Sequence, residues 1–174
     1  MSLQTPFRAV IGLCIALLAL PAHGFTFTGL DGTPLDLEQW RGQPVLVVNT
    51  ASLCGFTRQY GDMQRLHETY ADQGLVVLAV PSDDFHQELA SNEDVADFCR
   101  VQTRLTFPIT QITAVTGPEA HPFFQWLARE HGHVPRWNFN KTLIGPDGGV
   151  LGFWGSGTRP TARAITRQIR AALP

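Results

Sequence analysis

Cysteine is scarce in this chain, with three among 174 residues, at positions 14, 54 and 99. An exported protein stapled by a disulfide framework would carry more, so such a scaffold is not the obvious reading. No C-x-x-C pair is present, because Cys54 is followed by "GFT", and a general thiol–disulfide oxidoreductase would normally show one. A C-x-x-x-C copper-delivery pair is missing too, since Arg58 fills its second position. An excess of one charge is also lacking. Thirteen basic residues face fifteen acidic ones, which gives no reason to expect a nucleic acid or an anionic membrane as partner. Long apolar runs are absent as well: the longest, residues 9–20, is too short to span a bilayer. Internal repeats, low-complexity stretches and interdomain linkers do not occur.

That apolar run instead has a place in a three-part leader. Arg8 precedes it, Pro21 follows, and Ala22 and Gly24 lie at the −3 and −1 positions of a cut before Phe25. Residues 1–24 therefore read as a secretory signal peptide. Cys14 falls within it and is discarded, and "IGLC" lacks the leucine of a lipoprotein cleavage site. The expectation is a secreted, periplasmic protein with no stable membrane insertion after cleavage. Residues 25–174 form one domain, large enough to bury a substantial core. Only Cys54 and Cys99 remain, and a single bridge between them stays open at this point.

Along the mature chain, residues 25–37 alternate apolar and polar side chains around "LDGTP", the pattern of a small hairpin. "PVLVVNT" and "LVVLAVP" are continuous β-branched runs typical of strands buried on both faces. Between them, residues 57–72 place Met63, Leu66 and Tyr70 at helical spacing, with Gly74 as the stop. "SNEDVADFC" predicts a helix starting near Ser91 and carrying Cys99. "GPEAHPFFQWLARE" predicts another, ended by Gly132. "KTLIGPDGGVLGFW" reads as strand, turn, strand with Asp147-Gly148 in the turn, and residues 161–173 as a closing amphipathic helix. This order predicts an α/β fold of thioredoxin-like arrangement: a mixed central sheet, helices on both faces and an N-terminal β-hairpin.

Cys54 then sits between the carboxyl end of a buried strand and the first turn of a helix. Ligand sites of open α/β sheets concentrate there, and a helix N-terminus favours a thiolate. Small neighbours Ala51, Ser52 and Gly55 leave the sulfur approachable, and Thr57 is placed to cap the helix. Position alone leaves two readings, a reactive cysteine or an inert buried one.

At this point the sequence resembles the glutathione peroxidases. "NTASLCGFT" matches their peroxidatic-cysteine segment, "VPSDDFHQELASNEDVADFC" resembles their second segment, and "FPIT", "GPEAHPFFQWL" and "WNFNK" follow in order. The resemblance implies a thiol-dependent peroxidase acting on hydrogen peroxide or on organic and lipid hydroperoxides. A thiolate takes one oxygen, becomes a sulfenic acid and releases water or an alcohol. Polar donors hold the thiolate and assist the departing oxygen. The family uses a cysteine, a glutamine, a tryptophan N–H and an asparagine amide. Carried over, these give Cys54 as nucleophile and Trp137 and Asn138 as donors. By residue type alone, Trp137 reads first as core packing.

The glutamine is the departure. The family's "PCNQF" reads "PSDDF" here, which puts Asp84 at that place. An ionised carboxylate accepts hydrogen bonds and disfavours a nearby thiolate. Asp84 is left three roles: donor in protonated form, acceptor of a peroxide proton, or bystander with Gln87 in its stead.

Cys99 lies where thioredoxin-dependent members carry a resolving cysteine, which implies an intramolecular disulfide with Cys54 reached through local unfolding. The other reading is a packed helix cysteine, with glutathione resolving the sulfenic acid. A thioredoxin-like protein is the favoured reductant and glutathione the second. No cofactor is implied, because sulfur carries both electrons, and selenium is not implied at an ordinary cysteine. The short stretch "AREHGHVPR" before Trp137 lacks the longer interface loop of tetrameric relatives, which implies a monomer with an open site edge. His121, His131 and His133 read as capping or solvated residues rather than metal ligands. Phe56 is readable as pocket or core, and Lys141 as a source of positive potential or a surface residue. A thiol–disulfide oxidoreductase, or a redox-sensing or binding module, is the alternative on the same fold.

Overall fold

The computed structural model describes residues 24–174; residues 1–23, which hold Cys14 and all of the expected leader except Gly24, lie outside the described residues. A hairpin comes first, β1 (Thr26–Thr28) pairing antiparallel with β2 (Pro34–Asp36). The central sheet contains β3 (Val45–Thr50), β4 (Val76–Pro81), β5 (Lys141–Ile144) and β6 (Val150–Trp154) in the order β4-β3-β5-β6. β3 runs parallel to β4 and antiparallel to β5, and β6 is antiparallel to β5. The mixed sheet expected from the element order is therefore present.

β3 is buried at every position, and its alternation divides the core. Leu46 and Val48 pack on one side with Tyr60, Met63 and Leu66 of helix α1 (Gln59–Tyr70). The same cluster holds Val95 of α2 (Asn92–Asp97) and Ile165 and Ile169 of α4 (Arg163–Ala172). Val45 and Val47 pack on the other side with Phe123, Phe124, Trp126 and Leu127 of α3 (Pro122–His131). Helices thus cover both faces, which is why the strand reads as an unbroken apolar run. Each such aliphatic side chain contributes roughly 1.5–3 kcal/mol when fully removed from water.

The chain ends its elements where expected. A short 3₁₀ turn extends α1 to Gly74, which stops it at φ +103°, a conformation that favours glycine. Gly132 ends α3 at φ +60°. The "FPIT" segment bonds to the open edge of β4, with Ala79 N–H to the Pro108 carbonyl and Thr110 N–H to the Ala79 carbonyl. It covers that edge. Among the described residues, no helix is long and apolar enough to cross a membrane.

Two details differ from the sequence reading. α1 starts at Gln59, two residues later than the periodicity suggests, and no side chain caps it. Ser91 does cap α2, accepting the Asp94 N–H, but α2 stops at Asp97 and Cys99 lies in a π-helical turn, Phe98–Gln102. Thr103 takes up the freed carbonyls there: its N–H bonds to the Phe98 carbonyl, and its hydroxyl donates to that of Cys99.

Candidate active site

Cys54 occupies the turn between β3 and α1, at the carboxyl end of the central strands, and is 6% exposed. The Phe56 N–H points to its sulfur, with N to Sγ 3.5 Å. Thr57, expected as a helix cap, serves this turn instead. Its hydroxyl lies against the carbonyls of Ala51, Ser52 and Cys54, and its N–H bonds to the Cys54 carbonyl. A short side chain that satisfies local backbone groups favours a turn over a helix, which explains the late start of α1. The rim is apolar and open: Leu53 is 63% exposed and Phe56 36%.

Across the strand ends, the Trp137–Asn140 stretch is held by Asn49. The Asn49 Nδ2 donates to the Trp137 carbonyl at 3.0 Å, and its Oδ1 accepts the Asn140 N–H at 3.0 Å. Phe139 sits at φ +59°, unusual for a bulky residue. Its N–H bonds to the Asn49 carbonyl, and its ring packs edge-on against Tyr60 at 5.3 Å. This bend separates its neighbours' fates. Trp137 remains 40% exposed, with Phe85 5.4 Å from its ring, whereas Asn138 is wholly buried.

Residues 155–159 brace the same stretch. Ser156 Oγ donates to the Asn138 carbonyl at 2.6 Å, and the Ser156 carbonyl accepts from Gln59 Nε2 at 2.6 Å. Arg159 forks onto the buried Asp62 of α1 at 2.6 and 2.7 Å, the bidentate geometry that makes such pairs strong. Lys141 is neither at the surface nor directed at the sulfur. It is buried, and its Nζ donates to the carbonyls of Gly155, Ser156 and Thr158. Burial lowers its ammonium to about 7.

The segment after β4 lies against the Cys54 turn. Leu53 N–H bonds to the Gln87 carbonyl at 2.9 Å, and Ser52 N–H bonds to Glu88 Oε1 at 3.0 Å. The Gln87 side chain accepts from Asn138 Nδ2 at 3.2 Å. The Asp84 carboxylate is engaged elsewhere, accepting the N–H groups of Val115 and Thr116 at 2.7 Å each and the Thr116 hydroxyl at 3.0 Å. Glu88 is buried, and desolvation raises its carboxyl above the ordinary range.

Cys99 is also free, 1% exposed, and packed in the same core cluster as Cys54; no disulfide joins them. Burial, assisted by the nearby Glu88 charge, pushes its thiol up to about 12. It is therefore a protonated, weak nucleophile where it stands. Burial raises the neighbouring Tyr60 hydroxyl well above its ordinary value. The histidines are used locally. His121 caps α3 through its Nδ1, and His133 stacks on Phe153 at 4.0 Å.

Sequence reasoning brought together Cys54, Trp137 and Asn138 but missed Asn49, Ser156 and Glu88. Asn49 carried a usable signal. A buried amide inside an apolar strand must find partners, and Asn49 is the one amide in "VLVVNT". Ser156 and Glu88 gave no local sign.

The comparisons agree with this architecture. The glutathione peroxidase family model matches residues 22–128. The glutathione peroxidase homolog BsaA of Halalkalibacterium halodurans is 40% identical over 143 residues, covering 79% of this chain and 91% of the relative. The hydroperoxy fatty acid reductase gpx1 of Synechocystis is 37% identical over 149 residues, covering 79% and 88%. The crystal structure of Trgpx in apo form superposes with a TM-score of 0.71 at 33% identity, covering 88% of this chain and 96% of that one. A thiol:disulfide interchange protein from Chlorobium tepidum, at 19% identity and a TM-score of 0.68 over 91% and 99%, shares the thioredoxin-like fold. With a family model spanning more than half its length and relatives matched over most of theirs, this chain belongs to the glutathione peroxidase family.

Proposed function

We propose that the protein is a thiol-dependent peroxidase in which Cys54 reduces hydrogen peroxide and organic or lipid hydroperoxides. The observation that carries this is the setting of Cys54. It lies in a turn at the strand ends, with a backbone N–H on its sulfur and an open apolar rim beside it. The Cys54 thiolate attacks one peroxide oxygen as the O–O bond breaks. Sulfur is oxidised by two electrons to the sulfenic acid, and the departing oxygen takes a proton to leave as water or an alcohol. Trp137 and Asn138 serve as donors to the reacting oxygens.

Cys99 resolves the product. Its thiol displaces the sulfenic hydroxyl as water and forms the Cys54–Cys99 disulfide, which a thioredoxin-like protein then reduces. The π-helical turn has to open first, because a buried thiol raised to about 12 does not attack in place. Glutathione is the second candidate reductant. The leader grammar supports export to the periplasm after cleavage before Phe25, and the short stretch ahead of Trp137 supports a monomer.

Stopped-flow oxidation of the reduced mature protein by hydrogen peroxide tests the activity. A Cys54 rate well above that of free cysteine is expected, and a rate equal to it would defeat the reading.

A further inference from the structure

We propose that Gln87, and not Asp84, supplies the third side-chain donor to the peroxide, alongside Trp137 and Asn138. This rests on the reading of Cys54 as the peroxidatic thiol.

Asp84 is committed to another part of the fold. One oxygen of its carboxylate takes two backbone N–H groups and a hydroxyl from Val115 and Thr116, in the loop that leads into α3. Swinging it toward the sulfur would strand those donors unsatisfied in a partly buried loop, which is unfavourable. An acceptor-only carboxylate would also be a poor substitute for an amide beside a thiolate.

Gln87 is tied to the site at both ends. Its carbonyl binds the N–H of Leu53, the residue before Cys54, and its side-chain oxygen binds the Asn138 amide. With Oε1 occupied, Nε2 is the end of the amide left to donate. The chain reaches this position through a tight reversal. His86 N–H bonds to the Asp83 carbonyl and His86 adopts φ +55°, a left-handed conformation uncommon outside glycine. Beyond it, Glu88 fixes the segment. Its N–H donates to Asp83 Oδ1, while its carboxylate accepts the N–H groups of Ser52 and Leu89. Asp84 and Gln87 thus serve opposite sides of one turn, the first binding the loop before α3 and the second the Cys54–Asn138 junction.

The test compares reduced wild type with Gln87→Ala, Gln87→Glu and Asp84→Asn, each checked for folding by circular dichroism and melting temperature. Two rates are measured at Cys54 by mass spectrometry, single-turnover oxidation by hydrogen peroxide and alkylation by iodoacetamide. Alkylation requires no stabilised oxygen leaving group. For Gln87→Ala, peroxide oxidation should fall about 10- to 100-fold, as on losing one oriented donor, with alkylation within about threefold. Gln87→Glu should also be slow. Asp84→Asn should oxidise within about twofold of wild type and melt lower.

A Gln87→Ala rate equal to a fast wild-type rate overturns the role of Gln87 while leaving the peroxidase intact. Loss in Asp84→Asn with retention in Gln87→Ala transfers the role to Asp84. Equal falls in both rates for Gln87→Ala make it a support of the Cys54 turn and remove it as a donor. A wild type no faster than free cysteine overturns the peroxidatic reading and this one together.

Discussion

The Glu88 carboxylate accepts the backbone N–H of Ser52 at 3.0 Å from a position almost entirely out of water. It joins the segment after β4 to the turn that carries Cys54. Desolvation raises its carboxyl above the ordinary 4.5, so between that value and the raised one the folded chain holds a proton the unfolded chain has released. Stability should therefore fall as pH rises through this window, and the cost is absent below about 4.5. Urea unfolding of wild type and Glu88→Gln across pH 4 to 8 checks this. The wild-type decline should be smaller in the variant, which can still accept the Ser52 N–H.

Lys141 should give the opposite slope in a different range. Its folded value of about 7 lies below the ordinary 10.5, so across that interval the unfolded chain binds the extra proton. Stability should rise with pH from about 7 to about 10.5, and the full cost of burying the cation applies below 7. The difference between wild type and Lys141→Met isolates this rise from other titrations. A difference independent of pH over that interval would mean that burial does not depress this ammonium.

These two groups mark where the sequence stopped being informative. The order of elements along the chain, the hairpin, the glycine stops after α1 and α3 and the position of Cys54 at a strand end all follow from local pattern. Apolar period and turn chemistry act within a few residues. The supports of the site do not. Asn49 meets Trp137 across 88 positions, Gln59 meets Ser156 across 97, and Ser52 meets Glu88 across 36. No periodicity encodes such pairs. The π-helical turn at Cys99 is not legible for a local reason, because it preserves helical spacing while changing which carbonyl each N–H meets.

Asn49→Ala should damage the site from a distance. The Asn140 N–H would be left unsatisfied, at a cost of about 1–3 kcal/mol in stability, while the Trp137 carbonyl would keep its bond from Asn140 Nδ2. The peroxide rate of Cys54 should fall as well, because the Trp137–Asn140 stretch loses its side-chain tie to β3 and keeps only the backbone bond from the Phe139 N–H. Denaturant melts paired with stopped-flow traces measure both effects, and an unchanged rate in a destabilised variant would separate this anchor from the chemistry.

Cys99→Ser should leave the first oxidation step unchanged. After one equivalent of hydrogen peroxide, the variant should accumulate a sulfenic acid trappable by dimedone, where wild type forms the Cys54–Cys99 disulfide. Intact-mass spectrometry distinguishes the products. Equal dimedone labelling of the two proteins would remove Cys99 from the cycle.

The brace formed by Ser156, Lys141 and Arg159 gives the chain an order of assembly. Cys54 lies in the first third of the sequence, its candidate donors follow at 137 and 138, and the contacts holding those donors come from 155–159. During synthesis Cys54 leaves the ribosome early, with Asn49 just before it, and the supports at 155–159 leave last. A fragment ending at residue 154 would contain every catalytic candidate and still lack the framework that aligns them. In this fold the candidate nucleophile is translated early, but its environment is complete only near the end of the chain.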